Sequence, residues 1–242
     1  MSDFLGISMI TYGKSKAGKS HMGDSTPAPR LVLDAEMGSR FTPSRKIHWD
    51  PLTKPIPEYD GTWDTCLVSV KQYKAVEKAY EWLNSGKHPF RSVVMDSISE
   101  VQQRIADDLK GDDPLELRDW GVMLRKASLL VRNFRDLTTH PVKPLDVVLF
   151  IAMASQKQDN TWYPHVQGAL KVTLPYMVDL LTYLAPVTTD DGSIARRLLI
   201  GPTPGYETGE RVGGKLGHFI DNPNITDMLQ LIRGENNQDK VA

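Results

Sequence analysis

Eight consecutive residues, Gly13-Lys14-Ser15-Lys16-Ala17-Gly18-Lys19-Ser20, fit the pattern G-x-x-x-x-G-K-[ST]. Its chemistry is the capture of a phosphate chain. The glycines let the backbone curl until successive N–H groups converge on phosphate oxygens. Lys19 then reaches the β- and γ-phosphates, and the Ser20 hydroxyl binds Mg2+. A helix opening near Lys19 would aim its positive end at the anion. The expected nucleotide-binding residues are therefore Gly13, Lys14, Ser15, Lys16, Ala17, Gly18, Lys19, Ser20 and the adjoining His21, with ATP and Mg2+ as cofactors.

Such a loop needs a carboxylate at the end of a neighbouring strand to hold the metal, commonly through water. Asp96 follows the apolar run Val93-Val94-Met95 and fills that requirement, so Ser20 and Asp96 form the expected metal pair. Hydrolysis further needs a base for the attacking water. Leu33-Asp34-Ala35-Glu36 ends another short apolar run and offers Glu36, provided that its strand lies beside that of Asp96. Glu100, four residues after Asp96, is the competing base.

These groups have to be positioned by a scaffold, and its elements are visible. Ile7–Tyr12 reads as a buried strand before the glycine-rich turn, and Gly23, Pro27 and Pro29 limit the next helix to about two turns. Residues 31–33, 92–95, 147–152 and 196–200 are further strand candidates. Helical spacing marks residues 71–84, a segment ending near Leu109, and residues 118–138, and an apolar segment runs from Leu170 to Leu184. Residues 41–65, with four prolines, read as a surface excursion, and residues 235–242 as a frayed tail. Short apolar strands alternating with helices imply one α/β domain over residues 1–234, with a mainly parallel central sheet flanked by helices.

With 242 residues, 40% hydrophobic and 24% charged, the chain can bury a sizeable core without metals or disulfides. A net charge of −1 gives no whole-molecule field for nucleic acid, so any such site must be a local patch. Cys66 stands alone, which excludes an intrachain disulfide and makes the cytoplasm the expected compartment. No apolar run approaches the roughly 20 residues of a membrane helix, and the N-terminus lacks a signal-peptide layout, so no membrane partner is expected.

The order of GxxxxGKS, LVLDAE, VVMDS and a strand ending in LFIAMASQ resembles the RecA-like P-loop ATPases. The pairing of D-A-E with a later D-S is its specific part. The short helix after the first motif and the stretch from Gly201-Pro202-Thr203-Pro204 to Arg211-Val212-Gly213-Gly214 are similar to compact phage nucleotide-binding proteins, a group that includes single-strand annealing proteins. The resemblance covers about residues 5–220. It implies that Glu36 is the catalytic glutamate, that Asp96 holds Mg2+, and that Gln156 (or Ser155) senses the γ-phosphate. It also implies an oligomeric ring or filament binding single-stranded DNA through segments 110–119 and 156–168, of which the second carries Lys157, Trp162, Tyr163 and His165. That aromatic group has two other readings, a lid over the nucleotide or a cluster packed on the core. Arg211, in a glycine-rich stretch with Lys215, is the residue expected to complete a neighbour's site in trans. The functions implied are DNA recombination or strand annealing, in company with a single-strand binding protein, or else ATP-dependent loading of a replication partner such as a helicase.

Overall fold

The structure, a computed structural model, describes residues 6–235. The tail expected over 235–242 lies outside them except for Glu235. In chain order the elements are β1 (Ile7–Gly13), α1 (Lys19–Gly23), β2 (Arg30–Asp34), β3 (Lys46–His48), β4 (Thr65–Ser69), α2 (Tyr73–Asn84), β5 (Ser92–Asp96), α3 (Ile98–Lys110), α4 (Leu117–Asp136) and β6 (Val147–Gln156). They continue with β7 (Trp162–Pro164), α5 (Leu170–Thr173), β8 (Leu180–Thr188), β9 (Ile194–Leu199), β10 (Gly209–Glu210), β11 (Phe219–Asp221) and α6 (Ile225–Arg233).

Strands order as β11-β9-β8-β1-β6-β5-β2-β4-β3, with β10 on β8 and β7 on β6. From β8 across to β3 all neighbours are parallel, whereas β7, β9, β10 and β11 pair antiparallel. The result is the expected α/β core, a mostly parallel central sheet between helical layers. Both faces are covered, so the central strands are apolar throughout rather than alternating. Along β6, Val148, Phe150 and Ala152 face the layer of α2, α3 and α4, while Val147, Leu149 and Ile151 face α1 and α6. Polar groups inside the sheet are paired: the Thr11 and Thr182 hydroxyls meet at 2.8 Å, and Thr182 also donates to the Ile10 carbonyl at 3.0 Å.

Several local expectations change. Residues 41–65 are more than a surface excursion, for they contain β3 and lead into β4, which extend the sheet at its far edge. Trp49 and Trp63 from this stretch are buried, and Trp49 meets Trp82 of α2 edge-on at 4.9 Å. The apolar segment 170–184 divides into α5, a 3-10 turn over Leu174–Met177, and the start of β8. Helix α1 spans only five residues. Its last glycine, Gly23, packs so tightly that a Cβ would lie 3.2 Å from Val94 Cγ1.

The two-sided core predicts a sharp contrast. Phe150→Ala, at a fully buried position, should lower the unfolding free energy by about 3–5 kcal/mol. Leu117→Ala, at a site 90% exposed, should stay within about 0.5 kcal/mol of the parent chain. Equal shifts in denaturant melts would contradict the packing described.

Candidate active site

Parallel strands carry their C-terminal ends to one edge of the sheet, and the loops there make the site. Gly13 closes β1 and is pressed against its neighbour, since a Cβ there would lie 2.4 Å from the Leu184 carbonyl oxygen. The loop then turns through Lys16 at φ 61° and Gly18 at φ 100°, left-handed backbone that Gly18 adopts without steric cost. No side chain caps the α1 N-terminus, so its leading N–H groups are left to a ligand. The Lys19 ammonium donates to the Gly13 and Lys14 carbonyls, each at 2.9 Å. Burial lowers the Lys19 pKa, and the charges of Glu36 and Asp96 oppose that shift.

Register brings the acidic groups together. Asp34 of β2 stands beside Asp96 of β5, which in turn is level with Ile151 of β6. The adjacency that Glu36 requires is therefore met. Asp96 is 2% exposed, and its Oδ2 accepts from the hydroxyls of Ser20 at 2.6 Å and Ser39 at 3.2 Å. Burial pushes its pKa up to about 6, helped by the charges of Glu36 and Asp34 and opposed by the two serine hydroxyls. Asp34 is also raised by burial, against the N–H groups of the turn that follows, and it accepts the Ser39 N–H at 2.9 Å.

Glu36 itself is exposed, just past β2. The Asp96 carbonyl accepts the N–H groups of Ala35 at 2.7 Å and Glu36 at 3.4 Å, which ties the two strand ends together. The Ser97 hydroxyl donates to Glu36 Oε1. Glu100, by contrast, lies along α3 in an ion pair with Arg104 at 2.7 Å. Of the two, Glu36 lies at the strand ends beside Asp96, while Glu100 is turned to Arg104.

The residues present suit Mg2+ and a triphosphate. A serine hydroxyl and a buried carboxylate are hard oxygen donors, and Mg2+ takes its remaining ligands from phosphate and water. Among the described residues no group of three His, Cys, Asp or Glu side chains could hold a metal by itself, so phosphate oxygens must complete the shell. When bound, the ion would neutralise the charge that develops on the phosphates. Ser20 and Asp96 would hold it, Lys19 would leave its loop carbonyls for the phosphates, and Glu36 would accept the proton of the attacking water.

Other expected residues lie elsewhere. Gln156 falls five residues beyond Ile151 on β6, roughly 16 Å past the level of Asp96, and its amide donates to the Asn160 carbonyl at 3.0 Å. Ser155 sits opposite Tyr163 in the β6–β7 pair. The structure brings neither to the Ser20–Asp96 cluster. Arg211 is bound to the start of β8: its N–H donates to the Asp179 carbonyl at 2.9 Å and its guanidinium to the Tyr176 carbonyl at 2.8 Å. That is the sheet edge opposite its own phosphate loop. His21 is exposed on α1. Loop 111–116 is held by Lys110, which bridges Glu116 at 3.1 Å and Asp119 at 3.4 Å.

In the second segment Tyr163 is buried, with Lys157 and Lys171 each within 6 Å of its ring at 5.7 and 5.5 Å, and Trp162 is half-buried with the Lys14 ammonium 4.7 Å from its ring. The Tyr12 hydroxyl donates to the Trp162 carbonyl at 2.9 Å and to the Glu207 carbonyl at 3.0 Å. Sequence reasoning gave no role to Ser39, Ser97 or Tyr12. Only Ser97 carried a signal, its place directly after Asp96.

The raised Asp96 pKa makes a stability prediction for the protein without nucleotide or Mg2+. A carboxyl whose folded pKa exceeds its unfolded value stabilises the fold fully below the unfolded value and loses that contribution as pH rises through the folded one. Between pH 4 and 7 the parent chain should therefore lose up to about 3 kcal/mol that Asp96→Asn does not lose, from a shift of 3.8 to about 6. Denaturant melts at the two pH values check this, and parallel pH profiles would contradict it.

A family model described as an AAA domain matches residues 5–212, a span that contains the phosphate loop, Glu36 and Asp96. No curated protein matches. Among solved structures the chain is similar to a prototypical ATPase from the type III secretion system of pathogenic bacteria, at 12% identity and a TM-score of 0.47. That match covers 75% of this chain and 52% of the other. On the family model and the motifs it encloses, the chain belongs to the AAA domain family and is a P-loop ATPase.

Proposed function

We propose that the chain hydrolyses Mg-ATP with Glu36 as the base and couples that reaction to single-stranded DNA, in recombination or strand annealing, as a cytoplasmic homo-oligomer. One observation carries the coupling. The phosphate loop touches segment 156–168 through Lys14 against the Trp162 ring, and Tyr12, on β1 just before the loop, donates to the Trp162 carbonyl. A phosphate chain drawing Lys14 inward would take it off Trp162, so nucleotide state and the position of this segment are linked. Beyond Trp162 lies a cleft of about 540 Å³ lined by Lys157, Tyr163, Lys171, Tyr176 and Glu207. Two lysines and two tyrosines suit a phosphodiester backbone with stacked bases, although Lys157 is paired with Glu207.

The oligomer rests on Arg211. Anchored at the edge away from its own phosphate loop, it reaches a nucleotide only if a neighbouring copy presents one. The same coupling would also serve a loader or switch acting on a helicase, and DNA separates the two readings.

Steady-state hydrolysis measured with and without single-stranded oligonucleotides tests the proposal. Stimulation by the DNA, with annealing of complementary strands, is the expected result; unstimulated turnover favours the loader. In the same assay Lys19→Ala should lose nucleotide binding. Glu36→Gln should keep it while turnover falls by about 10²- to 10⁴-fold. If Glu100→Gln gives that loss and Glu36→Gln does not, the base assignment is wrong.

A further inference from the structure

Strand β9 alternates between two layers. Leu198 and Ile200 just after it pack into the core of α1 and α6, while Leu199 packs on the opposite side. Arg197, on the Leu199 side, is accounted for: it pairs with Asp221 at 2.7 Å and lies over the Phe219 ring at 4.0 Å. Arg196 has the parity of Leu198, so it points to the α1 side. At that level the side chain runs off the end of the core and comes to rest on the phosphate loop. A Cβ built on Gly18 would lie 2.3 Å from Arg196 Nε and 2.6 Å from its Cδ.

The backbone of Arg196 is fixed in place. Its N–H donates to Asn222 Oδ1 at 3.0 Å, and its carbonyl accepts the Asn222 N–H at 2.6 Å. Asn222 makes this bracket at φ 49°, left-handed backbone that asparagine tolerates. The guanidinium, in contrast, has no hydrogen bond or ion pair among the described residues. It is held against a loop that already carries Lys14, Lys16 and Lys19. A further cation placed against a lysine-bearing loop is unfavourable unless an anion joins them.

We infer that Arg196 is a nucleotide-binding residue acting in cis, donating to the phosphate chain of the ATP held by its own loop. This rests on the reading of residues 13–20 as the ATP site and adds a cation from the opposite end of the chain. It also gives Gly18 a second reason to be glycine: any side chain there would displace the arginine. Arg196 differs from Arg211, which faces the other edge of the sheet.

Binding of Mg-ATP and of Mg-tripolyphosphate to the full chain, by calorimetry, tests the assignment. Arg196→Ala should weaken both probes by about tenfold or more, as loss of a charge-assisted hydrogen bond does. Arg196→Lys should recover part of the loss, and Arg197→Ala should bind like the parent. Should Arg196→Ala fail to fold, Arg196→Met keeps the aliphatic stem and is expected to lose the same affinity. Tripolyphosphate binding unchanged in either variant overturns the inference, and a loss confined to ATP would move the contact from phosphate to base. If the parent chain and Lys19→Ala bind alike, the fault lies in the phosphate-loop reading itself and not in Arg196.

Discussion

The hydrogen bond from Ser20 to Asp96, 2.6 Å long, joins two parts of the chain that are not neighbours in the sheet. Ser20 stands on α1 after β1, Asp96 ends β5, and β6 runs between those strands. Two strand spacings of about 4.8 Å separate the two strand ends. The gap suits a phosphate chain and a hydrated ion, and the contact can form only because the loop after β1 leans back across β6. Every other feature of the site refers to this contact. Ser39 adds a second hydroxyl to the same carboxylate oxygen, and the Asp96 carbonyl holds the backbone of Ala35 and Glu36.

Charge explains why the site is built in two halves. Lys14, Lys16, Lys19 and Arg196 gather on the loop, and Asp34, Glu36 and Asp96 gather on the strand ends beyond it. Without ligand, burial above all, and then the charges of Glu36 and Asp34, raise the Asp96 pKa, while Lys19 rests on loop carbonyls. Mg-ATP carries both signs. Its phosphates would meet the cationic loop and its metal the acidic strand ends, and binding would stabilise the folded chain.

Much of this was legible in the sequence, for a physical reason. Strands buried on both faces must be apolar throughout, so Leu31–Leu33, Val93–Met95 and Val147–Ala152 stood out, and the acids that close the first two were forced to one edge by parallel pairing. Strands at or next to the sheet's edges, and the short add-on strands, leave weaker marks. β4 offers only Cys66-Leu67-Val68 between polar ends, and β3, β10 and β11 have two or three residues each. Register was beyond reach: spacing alone could not show that β6 continues to Gln156 and carries it past the site. Nor could it show that Arg196, from an antiparallel hairpin far along the chain, would fold back onto Gly18. The aromatic segment was visible by composition, but whether Trp162 and Tyr163 faced solvent or neighbouring lysines depended on tertiary packing.

The most direct test of the Ser20–Asp96 pair as a metal clamp is a double-mutant cycle on ATP affinity. It would use Ser20→Ala, Asp96→Ala and their combination, measured with Mg2+ and again with a chelator. Two residues holding one ion should lose affinity together, giving a coupling of about 1 kcal/mol or more with Mg2+ that vanishes when the metal is removed. Additive losses in the presence of Mg2+, or the same coupling with and without it, would contradict the account.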